Sequence, residues 1–464
     1  MFRPSMTIIA VSLLSIAAPA VAAPDPATFP ARLDAYFEKE MRTHQVPGVA
    51  IAVLRDGDVL VAKGYGLANV EHNVPVTTDT IFQLGSVGKM FTAAAVMTQV
   101  EQGKIRLDDP IVKFFPSAPA SWKNITVHHL LTHTSGIPNF GTDFNYRADY
   151  TDDELITIAA AMPLSFEPGK RWSYSNTGYE LLGFLVKKAT GRSYLDVLKS
   201  DVFQPLGMKT ARGISDADIV PHRSSGYKVV DGQLKNQDWV SPTMNSTADG
   251  SLYVTINDMI TWSRGVEQGR VLSAASWKET YTPVRLNSGK TYPYGYGWSI
   301  GTAAGKPRLH HGGAWQGFRT YYSRYLSGNL SVVILTNSGS ADPGKIADDV
   351  AGLWDAALVA PPIPPKPEPE VAKRVAALIE STRAGSLRRE DFALADADFA
   401  GLVIKYFTPM LKDVGPLTKL QLVRREEEGD DIVYTYVATF SRRTLKVEFA
   451  AVPGAGVSSF QIFT

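Results

Sequence analysis

Along residues 30–43 apolar side chains return every three or four positions, the period of a helix packed on one face. Residues 48–54 and 59–67 are apolar or alternating runs on either side of Asp56-Gly57, a hairpin turn signal. The period turns helical again over 86–102, with Met90, Ala94 and Met97 on one face. That stretch becomes polar at Gln99, Glu101 and Gln102, and Gly103 supplies a stop. A short helix is expected over 126–131, before Gly136-Ile137-Pro138, and another over 151–161. Thr177-x-x-Glu180 has the form of a capping box and predicts a helix from there to Gly191. Residues 256–265 and 273–281 are also predicted to be helical. Strands return as short apolar runs over 297–301, 320–326 and 330–337, the last two joined by Ser327-Gly328-Asn329, and a helix over 344–358 closes this part.

Strands thus stand at both ends with helices between them. That order predicts one sheet built from the two ends of the segment, with a helical lobe inserted between. Six prolines (Pro361, Pro362, Pro364, Pro365, Pro367 and Pro369) then crowd residues 359–370, which read as a stiff extended linker. Beyond it, helices are expected over 371–384 and 398–407, with Asp398 a possible N-cap of the second and Pro409 its terminator. Strands follow over 417–424, 432–440, 444–452 and 457–463, so residues 371–464 read as a small α+β domain.

Composition narrows the function. The 464 residues carry 47 basic and 46 acidic side chains, which leaves no electrostatic footprint for nucleic acid or for a polybasic membrane surface. With no cysteine, disulfides, thiolate metal sites and a cysteine nucleophile are all excluded. At the N-terminus, Arg3, the apolar run 7–18 and Ala20-Val21-Ala22 form a signal-peptide pattern over residues 1–22, with cleavage before Ala23. The run is shorter than the ~20 residues a membrane span needs. The expected mature protein is therefore secreted or periplasmic and has no stable membrane insertion.

The chemistry rests on a serine. S-x-x-K occurs twice, at Ser86-Val87-Gly88-Lys89 and at Ser225-Gly226-Tyr227-Lys228. Context separates the two. Ser86 follows Gly85 and opens the long predicted helix, where residues three apart share a face and the helix N-terminus lends positive partial charge. Ser225 and Lys228 lie where a loop runs into a strand, and there residues three apart face opposite ways. A serine hydroxyl needs a neighbouring base to become nucleophilic, and a lysine on the same face supplies one. Downstream stand Tyr174-Ser175-Asn176, the only Y-x-N in the chain, and His311-Gly312-Gly313 followed by Ala314 between two predicted strands.

These three elements, in this order, resemble the serine β-lactamase and penicillin-binding-protein superfamily, in its branch of class C β-lactamases, D-alanyl-D-alanine carboxypeptidases, D-aminopeptidases and esterases. Flanking phrases match too: Phe82-Gln83-Leu84-Gly85, Leu130-Leu131-Thr132-His133-Thr134-Ser135-Gly136 and Phe166-Glu167-Pro168-Gly169. The resemblance covers about residues 30–358 and implies a mixed α/β sandwich with an antiparallel sheet and a helical lobe. It implies that Ser86 forms an acyl-enzyme and that Lys89 and Tyr174 share proton transfer. Asn176 would bind the substrate amide, while His311, Gly312, Gly313 and Ala314 would line the substrate. The N–H groups of Ser86 and Ala314 would form the oxyanion hole. No cofactor and no metal are implied, and the expected partner is a small-molecule or short-peptide substrate.

The third motif departs from the β-lactamase pattern, since His311 stands where a lysine is usual. Histidine is mostly neutral above about pH 6.5 and grips a carboxylate less well, unless Arg319 assists. D-amino-acid peptides and small esters are therefore expected ahead of β-lactams. A true β-lactamase and a binding module without turnover remain alternatives. His128, His129 and His133 include an i, i+4 pair, read as structural and not as a metal site. Tyr292, Tyr294, Tyr296 and Trp298 alternate as if packing a sheet face, and Trp315 could wall the substrate pocket. The small C-terminal domain has a cystatin-like or nuclear-transport-factor-like pattern and could bind a ligand, cover the active-site mouth or mediate dimerisation.

Overall fold

The two ends of the first 358 residues pair with each other. In the computed structural model, which describes residues 27–141, 143–359, 364–392, 394 and 399–463, strand β1 (Gly48–Arg55) lies antiparallel to both β2 (Asp58–Asn69) and β7 (Leu330–Thr336). The sheet continues through β3 (Val74–Pro75) on one side and through β4 (Ser299–Ala303), β5 (Lys306–Trp315) and β6 (Phe318–Tyr325) on the other. Among the described residues it has seven strands in the order β4-β5-β6-β7-β1-β2-β3, all antiparallel. The expected signal segment and the proposed N-cap Asp398 lie outside the described residues.

The central strands are buried on both faces, and alternate side chains serve two cores. Val49, Ile51 and Val53, with Val332 and Ile334, face helices α1 (Phe29–His44) and α8 (Pro343–Trp354). Ala50, Ala52 and Leu54, with Val333 and Leu335, face the larger lobe. That lobe contains α2 (Lys89–Glu101), α3 (Val127–Leu131), α4 (Asp152–Ala161), α5 (Asn176–Thr190), α6 (Ile256–Glu267) and α7 (Ala274–Thr280). The expected sandwich with an inserted helical lobe is the observed architecture.

Helix α2 is buried on every side from Lys89 to Gln99, because it runs through the middle of the lobe. Local readings changed in several places. Helix α5 begins earlier than expected: Ser175 is its N-cap and accepts from Gly178 N at 3.0 Å. Thr177 and Glu180 are thus interior helical residues and form no capping box. The His311-Gly312-Gly313 motif lies inside β5 and not between strands, since Lys306–Trp315 lacks apolar alternation and hides its strand character. The tyrosines after Val284 do not line a sheet face: Thr291–Tyr292 pairs with Val284–Arg285, Tyr294 makes a single bridge to Ser299, and the rings of Tyr294, Tyr296 and Trp298 are buried.

After the proline-rich stretch, α9 (Pro369–Ala384) and α10 (Phe399–Val414) pack on a four-stranded antiparallel meander, β8 (Leu417–Glu428), β9 (Asp431–Phe440), β10 (Thr444–Val452) and β11 (Gly456–Phe463). Its core, with Val375, Ile379, Val403, Leu411, Tyr436, Phe449 and Phe460, contains only residues of this part. Pro409 stands inside α10 and does not end it. A helical proline costs about 3 kcal/mol. Burial of Leu411 and Val414 beyond it, worth about 1.5–3 kcal/mol each, offsets that cost. This part docks through the β8–β9 turn: Gly429 N donates to Thr291 O at 2.8 Å, and Lys290 pairs with Asp430 at 3.7 Å.

Candidate active site

The chain reaches Ser86 through a turn that only glycine fits. Gly85 has φ +56°, and a Cβ there would stand 2.6 Å from Ala314 N. Residues Gly85–Gly88 form a 3₁₀ turn that runs into α2 at Lys89. In a 3₁₀ turn side chains i and i+3 eclipse, so the tight entry brings Ser86 and Lys89 over one another more directly than an α-helix would. Strand β5 presses on the same turn, since a Cβ at Gly313 would lie 2.1 Å from Leu84 O and 3.0 Å from Val87 N. Gly250 closes the third side, where a Cβ would meet Gly85 O at 2.2 Å.

Lys89 is the hub. Its side chain is wholly buried, and its Nζ lies 3.2 Å from Ser86 Oγ, 2.7 Å from Asn176 Oδ1 and 2.5 Å from Asp249 O. The last two partners can only accept here, so two Nζ protons are committed to them. The third direction faces a hydroxyl, which both donates and accepts. As an ammonium, Lys89 donates its third proton to Ser86; as an amine, it turns a lone pair to the Ser86 O–H. The same geometry therefore holds both proton positions along the Ser86–Lys89 link. Nζ also lies 4.9 Å from the ring centre of Tyr174 and 5.4 Å from that of Tyr179. Tyr174 comes from the segment before α5, where Asn139 Nδ2 donates to Tyr174 O at 2.9 Å and Asn139 Oδ1 accepts from Asn176 N at 2.6 Å.

Every residue of the three motifs converges on this spot except in one respect. Ser86, Lys89, Tyr174 and Asn176 are in mutual reach, and His311 lies beneath Tyr174 with ring centres 6.1 Å apart. Gly313 and Ala314 abut the turn that carries Ser86, whereas Gly312 turns to the opposite face against Tyr321. Arg319 starts on that opposite face too. It pairs with Ala314 next to Thr320, whose Oγ1 reaches Leu84 O at 2.5 Å on the site face, and Asp342 on α8's side is its charged neighbour. Arg319 therefore does not assist His311. Trp315 stands edge-on to Tyr146 at 6.5 Å and donates to Asn245 Oδ1 at 2.9 Å, forming a wall beside Ala314.

Several contributors were not legible in the sequence. Asp249 acts through its carbonyl, a group every residue carries. Glu180, one helical turn below Asn176, is 4% exposed, and its Oε2 has no partner. Burial pushes its carboxyl well above the usual range, Asp249 adds to this and Lys89 opposes it. His133 has a left-handed backbone, φ +57°, and its ring lies 4.4 Å from that of Tyr174. Tyr294 reaches both His133 Nε2, at 3.2 Å, and His311 Nε2, at 3.0 Å. Burial first, then the charge of Lys89, lowers His311 to about 4, and the same two causes hold His133 well below the usual histidine range. The other histidines turn elsewhere, His128 to Tyr296 OH and His129 to Thr126. No group of three potential ligands suited to a metal occurs among the described residues, and no helix there is long and apolar enough to cross a membrane.

Ser225 and Lys228 point to different partners. Ser225 Oγ accepts from Asn69 at 3.0 Å, and Lys228 pairs with Asp238 at 2.5 Å.

Comparison with known proteins identifies the family. The Beta-lactamase family model matches residues 33–353. A D-aminopeptidase of Gluconobacter oxydans is 29% identical over 68% of this chain and 60% of its own length. Esterase EstB of Burkholderia gladioli is 35% identical over 41% of this chain and 53% of its own length, so the alignments span little more than half of these relatives. Among solved structures, an octameric penicillin-binding protein homologue from Pyrococcus abyssi superposes with a TM-score of 0.62 at 26% identity, covering 91% of this chain and 96% of that one.

Proposed function

The chain belongs to the beta-lactamase family and is a serine hydrolase, and from that membership we propose that it cleaves a D-amino-acid peptide or a small carboxylic ester through an acyl-enzyme on Ser86. The observation that carries this reading is the three-way contact of the buried Lys89 amine with Ser86, Asn176 and Asp249 O. Ser86 Oγ attacks the substrate carbonyl while its proton passes to Lys89 or Tyr174. The N–H groups of Ser86 and Ala314 hold the oxyanion, and Asn176 binds the substrate amide. The leaving amine or alcohol takes a proton from the Tyr174–Lys89 pair. Water then attacks the ester on Ser86, passes its proton back through the same pair and frees the acid.

Residues 23–358 form the hydrolase domain in this proposal, 359–370 a linker and 371–464 an accessory domain. The signal-peptide pattern over 1–22 supports export to the periplasm or the exterior.

Fluorophosphonate labelling followed by peptide mass spectrometry tests the nucleophile. A mass gain on Ser86, with hydrolysis of p-nitrophenyl esters or D-alanyl amides, is the expected result. No labelling and no turnover of either substrate class would sink the reading, and nitrocefin is expected to turn over slowly.

A further inference from the structure

Four hydrogen bonds run in one line behind the catalytic cluster, and both ends of the line are backbone groups of fixed polarity. At one end Ser175 N–H lies 3.1 Å from His133 Nδ1, and an amide N–H can only donate, so Nδ1 is the acceptor. At the other end His311 Nδ1 lies 2.6 Å from Gly312 O, and a carbonyl can only accept, so His311 carries its proton on Nδ1. Between them Tyr294 OH joins His133 Nε2 to His311 Nε2. With both rings neutral, one proton order satisfies every group. His133 Nε2–H donates to the Tyr294 oxygen, and Tyr294 O–H donates to His311 Nε2. All three side chains are buried, His133 to 1% exposure, Tyr294 to 2% and His311 to 5%.

The consequence concerns the position that faces the substrate. Both ring nitrogens of His311 are taken, Nδ1–H by Gly312 O and Nε2 by the Tyr294 hydroxyl, so neither turns an N–H towards a substrate carboxylate. Tyr294 also lies in reach of the Tyr179 hydroxyl, whose own proton goes to Leu131 O. Rotating the ring to free a nitrogen would break the bond to Gly312 O or to Tyr294. His133 is held for its part by a left-handed backbone that few residues other than glycine adopt. The line is therefore rigid at both ends.

We propose that Tyr294 is a specificity-determining positioning residue: it occupies His311 Nε2 while Gly312 O holds Nδ1–H, leaving the ring no free N–H, so that this subsite rejects a substrate carboxylate and selects D-amino amides, carboxyl-blocked D-peptides or simple esters. The inference rests on the acyl-enzyme reading above and narrows its substrate class.

Two measurements decide it. Long-range ¹H–¹⁵N correlation spectra of the full chain at pH 7 report histidine tautomers directly. His133 is expected as the Nε2–H form and His311 as the Nδ1–H form, assigned by their loss in His133→Asn and His311→Asn. In Tyr294→Phe the His311 signal is expected to become a mixture of tautomers. Second, a pair of N-acetyl-D-alanyl-D-alanine substrates, one a free acid and the other its carboxamide, is compared by kcat/KM. The wild type is expected to favour the carboxamide by about 10-fold or more, and Tyr294→Phe to reduce that ratio at least about threefold. His311 found as the Nε2–H form or as imidazolium in the wild type overturns the proposal. So does an acid-to-amide ratio that Tyr294→Phe leaves unchanged. If fluorophosphonate fails to label Ser86 the hydrolase reading fails instead; labelling with no discrimination between the two peptides removes the Tyr294 role alone.

Discussion

The same four-residue spacing places Ser86 with Lys89 and Ser225 with Lys228, yet the two pairs share nothing else. The first sits on a 3₁₀ turn entering a buried helix, with the amine wholly buried and in contact with its serine. The second leads into strand Tyr227–Val230, where positions three apart face opposite ways, and its lysine reaches out to Asp238 with 36% of its side chain exposed. What sets the proposed nucleophile apart is the local conformation that eclipses the pair and the acceptors that commit two of the lysine protons. Spacing is only a precondition.

The largest expected effect sets the two serines against each other. Ser86→Ala should lower kcat by on the order of 10⁴-fold or more and abolish fluorophosphonate labelling, as loss of a hydrolase nucleophile does. Ser225→Ala should leave kcat/KM within about twofold, since half-buried Ser225 only accepts from Asn69 and touches no residue of the Ser86 cluster. Stopped-flow acylation with a p-nitrophenyl ester measures both, and full activity in Ser86→Ala would move the nucleophile elsewhere.

Next in size is a change that touches neither serine nor lysine. Gly313→Ala adds a Cβ that would stand 2.1 Å from Leu84 O and 2.5 Å from Thr320 Oγ1. Neither the backbone oxygen nor the strand can yield without moving β5, and with it Ala314 N. A misplaced oxyanion donor costs about 10²–10³ in kcat. The expected outcome is that loss with substrate KM little changed and a melting temperature lowered by several degrees. Wild-type kcat in a folded Gly313→Ala protein would show that β5 does not position the Ser86 turn.

These contrasts mark what a sequence carries and what it hides. The convergence of Ser86, Lys89, Tyr174, Asn176 and Gly313 is legible because these residue types stand in short motifs of fixed spacing. Asp249 O is not, because any residue offers a carbonyl. His133 stood in view within Leu130–Gly136, but nothing local shows that its backbone is left-handed. Tyr294 was misread as part of a sheet face, since period-two aromatics look alike whether a strand or a loop presents them. Assistance from Arg319 stays open in the sequence for a related reason: the pattern does not show the strand Lys306–Trp315, so the register that turns Arg319 away has nothing to anchor it. In the C-terminal part, Pro409 reads as a helix end because propensity outweighs packing until the buried Leu411 and Val414 beyond it are placed.

A smaller effect separates the two neighbourhoods by acid. His311 and His129 are both held at about 4, principally by burial, whereas unfolded histidine titrates near pH 6.5. Between those values the unfolded chain binds protons that the folded chain does not. The stability these groups contribute is therefore complete above about pH 6.5 and is lost as pH falls towards about 4, by up to about 3 kcal/mol for each. Urea midpoints should fall between pH 7 and pH 4.5, and His129→Asn should shallow that fall. Raised carboxyls such as Glu428 act in the opposite direction over this window, so the decisive reading is the difference between wild type and His129→Asn, and identical pH profiles for the two would contradict a buried, neutral His129.

The smallest effect is expected at the second lysine, and its smallness is informative. Lys228→Met removes an ion pair whose Asp238 partner is 65% exposed in its side chain. Exposed pairs contribute little because water screens them and both long side chains lose freedom, so the change should stay below about 0.5 kcal/mol. Activity should not move, because Lys228 shares no contact with the Ser86 cluster. Guanidinium melts and ester turnover on the same preparation give both numbers. If Lys228→Met instead slowed acylation several-fold, the second pair would have to couple to the first through Tyr227, whose backbone N–H donates to Gly317 O at 3.3 Å at the β5–β6 turn. That turn leads from Ala314 to Thr320, so an effect of Lys228 on turnover would locate the coupling in the strand that holds the proposed oxyanion donor and not in the serine–lysine spacing itself.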